Sequence, residues 1–147
     1  MRASTHKRHS FRFFDTNIFV YAYDSYDPIK QKKAQDILIR GIRNGDSVIS
    51  TQVLGEFFTV VTRKIRHPIS MNDAMQIVKN ISVMDVQEIN LSVVERALET
   101  VDMYKISYRD SLIVAAAERA GCERIVTEDL NNGRRYHGMI VVNPFQA

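Results

Sequence analysis

Phe11-Arg12-Phe13-Phe14-Asp15-Thr16-Asn17 decides how the rest of the chain is read. The short aromatic run is a strand. It stops on an acid, and Thr16–Tyr23 continues as a short helix that Thr16 or Asn17 can cap. A strand that turns directly into a helix opens a βαβ unit. Asp15 then lies at the carboxyl end of a strand, the edge at which open parallel sheets bind ligands.

The alternation continues downstream. Pro28 fits the first turn of a helix running to about Arg43, with Ala34, Ile37, Leu38 and Ile42 on one face. Gly45-Asp46 turns into the strand Ser47-Val48-Ile49-Ser50. Thr51 can cap the next helix, whose apolar stripe is Val53, Leu54, Phe57, Phe58, Val61 and Ile65, and Pro68 stops it. Ser70 caps another helix, and Val83–Ile89 reads as a strand. Ser92–Tyr104 is helical, with Val93, Val94, Ala97, Leu98 and Val101 in period. Asp110–Ala120 is helical and Gly121 ends it. Arg124–Thr127 and Met139–Val142 are β-branched, apolar strands. Strands alternating with helices predict an α/β fold whose mostly parallel sheet is covered on both faces.

With 147 residues, 45% of them apolar and 25% charged, the chain is expected to form one globular domain. Met1–Ser10 is polar and basic and reads as a flexible tail, leaving residues 11–147 as the domain. No apolar run is long enough to span a membrane and no signal-peptide core is seen, so a cytoplasmic location is expected. The lone Cys122 reads as a small core residue. A net charge of +3 is small, but basic residues cluster at Lys7-Arg8, Lys30/Lys32/Lys33, Arg63/Lys64/Arg66 and Arg134/Arg135. Each cluster has an ordinary reading as a solvated face; together they fit a rim that attracts phosphate.

Four acids carry the chemistry: Asp15, Glu56, Asp110 and Asp129. Each also has a plain structural role open to it. Asp15 can cap a helix, Glu56 can sit at the border of an apolar stripe beside a basic partner, Asp110 can cap the alanine-rich helix, and Asp129 can serve a turn. Strand alternation makes Glu128 the more exposed of the pair Glu128-Asp129. All four acids nevertheless fall at one sheet edge, where their charges repel unless cations lie among them. That pattern predicts a Mg²⁺ or Mn²⁺ site and phosphate chemistry. Gly-rich phosphate loops, a Gly-x-Ser-x-Gly elbow and zinc-ligand spacing of His with Cys are all absent. A carboxylate-based phosphohydrolase or phosphoacceptor domain stays open, although such domains often carry a second acid where this chain has Asn17.

Phe14-Asp15-Thr16-Asn17, Val53-Leu54-Gly55-Glu56-Phe57-Phe58, Arg109-Asp110-Ser111-Leu112-Ile113 and Thr127-Glu128-Asp129-Leu130 occur in an order that resembles PIN-domain ribonucleases. The ending Val141-Val142-Asn143-Pro144-Phe145 is similar to that of the VapC-like toxins within the family. The resemblance covers about residues 11–145. It implies a three-layer α/β/α sandwich, Mg²⁺- or Mn²⁺-dependent RNA cleavage and inhibition by a small antitoxin. It also implies that Asp15, Glu56, Asp110 and Asp129 form the catalytic, metal-holding cluster, with Thr16, Asn17 and Thr127 in support. Asp15 and Asp129 are the expected direct ligands, with Arg63, Lys64 and Arg134 holding the RNA backbone. PIN proteins that are not toxins share the four acids, so a non-toxin PIN nuclease stays open, as does a catalytically silent PIN-like RNA-binding module for which metal would be dispensable. Tyr21, Tyr23 and Tyr26 offer an apolar seam for a homodimer.

Overall fold

A computed structural model describes residues 11–146. The expected tail, Met1–Ser10, lies outside them. The elements run β1 (Arg12–Phe14), α1 (Thr16–Tyr23), α2 (Pro28–Asn44), β2 (Ser47–Ser50), α3 (Thr51–Arg63), α4 (Met71–Ile81), β3 (Asp85–Gln87), α5 (Leu91–Tyr104), α6 (Tyr108–Arg119), β4 (Arg124–Val126), β5 (Arg135–Tyr136) and β6 (Met139–Val142). The sheet order is β3-β2-β1-β4-β6-β5, and every pairing is parallel except β5 with β6. Phe13 and Phe14 point to opposite faces of β1 and both are fully buried, so helices cover the sheet on each side. This is the mostly parallel α/β architecture expected.

Local details differ from the expected ones for identifiable reasons. Helix caps fall one to three residues earlier. Asp15 accepts from the Thr16 amide, Ser50 rather than Thr51 caps α3, and Ser107 rather than Asp110 caps α6. On α2 the buried face is Ala34, Ile37, Leu38 and Gly41, while Ile42 is exposed. Gly41 is required there, because a Cβ would stand 2.1 Å from the Ser47 hydroxyl of β2. Leu98 likewise faces outward, and Thr100 takes the buried place on α5. The strand at Val83–Ile89 shrinks to an edge of three residues. The unforeseen β5 joins β6 through His137-Gly138, both at positive φ, which closes a two-residue hairpin. Cys122 is buried, as expected. Among the described residues no helix is long and apolar enough to cross a membrane.

Candidate active site

The chain leaves β1 toward β2 on one side and returns through β4 on the other, so β1 and β4 flank the switch point of the sheet. Asp15 ends β1 there, and Thr127 follows β4. Their backbones are locked by sheet bonds: the Asp15 amide donates to Val126 and the Thr127 amide to Val142. α3 and α6 bring Glu56 and Asp110 to the same edge from their early turns.

All four acids meet around one group absent from the expected site, the guanidinium of Arg109. It forks onto Asp15 through Nη2–Oδ1 at 2.7 Å and Nη1–Oδ2 at 3.1 Å. It forks again onto Glu56 through Nη2–Oε1 at 2.7 Å and Nε–Oε2 at 3.2 Å. Asp110 Oδ1 lies at 3.0 Å and Asp129 Oδ2 at 3.5 Å from Nη1. Bidentate pairs of this kind are among the stronger charge-assisted contacts. Nothing in the pattern of acids pointed to Arg109. The available signal was its place beside Asp110 in the first turn of a buried helix, where a cation is unfavourable to the helix dipole unless carboxylates surround it.

Support comes from the expected polar residues. Asp15 is buried and accepts from the Thr16 amide at 2.6 Å and the Thr127 hydroxyl at 2.7 Å. It thus caps α1 and belongs to the acid cluster at once. The Thr16 hydroxyl donates to Glu56 at 2.7 Å, Asn17 Nδ2 donates to the Thr127 hydroxyl at 3.2 Å, and that hydroxyl also accepts from the Asp129 amide. Gln52, not singled out from the sequence, donates to Glu56 Oε2 and to the Arg109 carbonyl.

Burial raises the Glu56 carboxyl, but hydrogen bonds from Arg109 and Thr16 outweigh it and leave the pKa lowered. Partial burial, helped by the Asp15 charge, pushes Asp129 up against the opposing pull of Arg109. Burial disfavours the Arg109 cation, yet bonds to Glu56 and Asp15 dominate and keep it charged.

One expectation needs correction. Asp129 is the exposed member of its pair, with 45% of its side chain accessible against 24% for Glu128. The turn after β4 breaks strand alternation, and Glu128 binds Lys30 at 3.0 Å and accepts from the Tyr21 hydroxyl. Of the three tyrosines expected at a seam, Tyr21 stacks edge-on against Phe145 and Tyr23 against Phe57, and Tyr23 and Tyr26 are exposed.

A cleft of about 600 Å³ opens over the cluster, lined by Thr16, Asn17, Tyr21, Glu56, Thr59, Lys64, Arg109 and Asp129 among others. Of the three expected RNA contacts, only Lys64 lines it. Arg63 is exposed on the last turn of α3, and Arg134 stacks over Tyr136 at 5.0 Å from its centroid.

The donor chemistry suits a hard divalent cation: four carboxylates face one guanidinium, and Asn17 Oδ1 and Gln52 Oε1 are buried acceptors without a partner. At their present spacing the four carboxylates all contact Arg109. Among the described residues no group of three or more His, Cys, Asp or Glu stands close enough to hold one metal ion.

The PIN-domain family model matches residues 12–136, so the chain belongs to the PIN-domain family. No curated protein matches in sequence. Among solved structures, a chain of a toxin–antitoxin complex from Klebsiella pneumoniae superposes with a TM-score of 0.67 at 19% identity, covering 92% of this chain and 99% of that one. VapC20 of Mycobacterium tuberculosis, a sarcin-ricin loop cleaving toxin, gives 0.60 at 20% identity over 78% of this chain and 86% of that one. VapBC2 from Rickettsia felis, bound to a DNA fragment from its promoter, gives 0.63 at 20% identity over 89% and 96%. At such identities the likeness is one of fold.

Proposed function

We propose that this chain is a Mg²⁺- or Mn²⁺-dependent endoribonuclease and the toxin of a toxin–antitoxin pair. The observation that carries the reading is the imbalance of four carboxylates against one guanidinium at the sheet's switch point. PIN-family membership supports nuclease chemistry, and the toxin–antitoxin neighbours support a small antitoxin as partner. A homodimer and a cytoplasmic location belong to the same reading.

Asp15 and Asp129 would hold the cation, which when bound supplies charge neutralisation and an acidified water. Asp15 is fixed for this by the Thr16 amide and the Thr127 hydroxyl. Glu56, steadied by Thr16 and Gln52, and Asp110 would orient water, hold a second cation or accept the nucleophile's proton. Lys64 at the cleft wall binds the RNA backbone, with Arg63 and Arg134 extending that contact beyond the cleft.

The test is cleavage of a pool of structured and single-stranded RNA with Mg²⁺, with Mn²⁺ and with EDTA, comparing wild type with Asp15→Asn. Metal-dependent cuts that vanish in the variant are expected. EDTA-resistant cutting, or full activity in the variant, overturns the reading.

A further inference from the structure

We propose that Arg109 is an internal counterion that competes with the divalent cation for the acid cluster and must swing into the cleft before the cation can bind. The inference rests on the metal reading above and names how that site is regulated.

Geometry makes the competition unavoidable. Both oxygens of Asp15 are engaged by Arg109, as are both oxygens of Glu56, one oxygen of Asp110 and one of Asp129. A cation that takes Asp15 as a ligand needs an oxygen that the guanidinium already holds, while on Asp129 only Oδ2 is held, at 3.5 Å. One group cannot be added without moving the other.

Electrostatics makes the exchange favourable. A single delocalised charge leaves the four acids undercompensated, and a compact divalent ion adds twice the charge at shorter range. Displacement does not strip the acids of their other donors. Asp15 keeps Thr16 N–H and the Thr127 hydroxyl, and Glu56 keeps Thr16 and Gln52.

The side chain also has somewhere to go. Arg109 lines the cleft and is 33% accessible, so rotation about its own χ angles carries the head group outward with no change in α6. There it joins Lys64 on the cleft wall, beside the path of an anionic substrate. Cation entry therefore moves a positive charge from the acids to the place where phosphate arrives. Empty protein keeps its acids partly compensated; loaded protein gains an anion-binding group.

Competition of this kind raises the apparent Kd by the inverse of the fraction of molecules with Arg109 outside the cluster, so about tenfold if that fraction is about one in ten. The experiment is calorimetric titration of Mn²⁺ into full-length wild type, Arg109→Met, Arg109→Lys and Asp15→Asn. Arg109→Met is expected to bind about tenfold more tightly than wild type, Arg109→Lys in between, and Asp15→Asn not at all. Equal or weaker binding by Arg109→Met, with wild type still binding, overturns the competition and leaves the metal reading standing. No binding by any variant or by wild type removes the metal reading and this inference with it. Should Arg109→Met fail to fold, the wild type decides. Its Arg109 side-chain N–H resonances, protected in EDTA, are expected to shift and exchange faster in saturating Mg²⁺, and unchanged resonances in protein that binds Mg²⁺ overturn the proposal.

Discussion

Arg109 and Arg96 are the same residue type with the same side-chain accessibility, 33%, yet they sit in opposite kinds of environment. Arg96 on α5 forks onto Glu118 of α6 at 2.8 and 3.1 Å, touches Glu99 at 3.0 Å, and donates to His137 Nδ1 at 3.0 Å. Two carboxylates, one of them mostly exposed, and a neutral imidazole leave its charges near balance. The groups it joins come from α5, α6 and the β5–β6 hairpin, so it fastens an edge of the sheet to the helices beside it. Arg109 faces four carboxylates gathered from four separate elements, at the place where the sheet has its switch point. Folding alone has no use for that excess of negative charge, which destabilises the compact state. Charge balance, rather than accessibility, separates the arginine that secures structure from the one at the candidate site.

The largest expected effect separates the two forked carboxylates. Asp15→Asn should reduce RNA cleavage by more than about 100-fold, since even supporting residues of metal sites cost about 10–100-fold when changed. Its near-isosteric amide should leave the far-UV spectrum and cooperative unfolding in place. Glu118→Gln should do the reverse, leaving cleavage unchanged and lowering unfolding stability by about 1–2 kcal/mol through the weakened Arg96 fork. Loss of cleavage in both variants at equal folded fraction would erase the distinction.

A second pair of substitutions tests the arginines themselves. Arg96→Met and Arg109→Met should each destabilise the metal-free protein by about 2 kcal/mol, because each leaves carboxylates without their partner. In denaturant titrations with Mg²⁺, stability should return to Arg109→Met and not to Arg96→Met, as a ligand that binds only the folded site stabilises by mass action. Equal response of the two variants to Mg²⁺ would place both arginines in the same class.

The two networks also differed in how far the amino-acid order revealed them. β1, β2, β4 and β6 were legible from short apolar runs, and the helices from their periods, because burial on both faces leaves little choice of residue. Asp15, Asp110 and Asp129 were legible because each sits near the end of a strand or the start of a helix, and Glu56 because it borders the apolar stripe of α3. Arg109 was not, since the same arginine on a turn reads equally as a surface charge until the fold brings Asp15 and Glu56, separated from it by 94 and 53 positions, against it. Arg96 and His137 escaped notice for the same reason. Their partners are 22 and 41 positions apart, and the β5–β6 hairpin that presents His137 is too short to leave a periodic signal. The order of Glu128 and Asp129 differs from the expected one because they lie two and three residues past the end of β4, where alternation no longer applies.

The smallest expected effect uses pH to tell the networks apart. Arg96 is a donor only, so His137 Nδ1 must accept from it; the Thr100 hydroxyl donates to the Arg96 carbonyl at 2.9 Å, so His137 Nε2–H donates to that hydroxyl at 2.8 Å. The Nδ1 contact requires neutral imidazole, whereas the Nε2–H contact survives protonation. Burial lowers the His137 pKa from its ordinary 6.5, the Arg96 charge adds to this, and the Glu118 and Glu99 charges oppose it. The unfolded chain therefore binds this proton at higher pH than the folded one. The stabilisation is complete above about pH 6.5 and declines as pH falls from there toward the lowered folded value. Glu56 has a lowered pKa too, but for a carboxylate whose ordinary value is 4.5, so its contribution is present above that value and lost only on further acidification. Between pH 7 and 5 the stability slope should thus belong to the Arg96 network. His137→Asn keeps the hairpin, because asparagine tolerates positive φ, and removes the titration. Urea unfolding at pH 7, 6 and 5 should show wild type losing up to about 1 kcal/mol more than the variant across that range. A variant as pH-sensitive as wild type would mean that the proton is taken up elsewhere, and that His137 is held by shape rather than by its charge state.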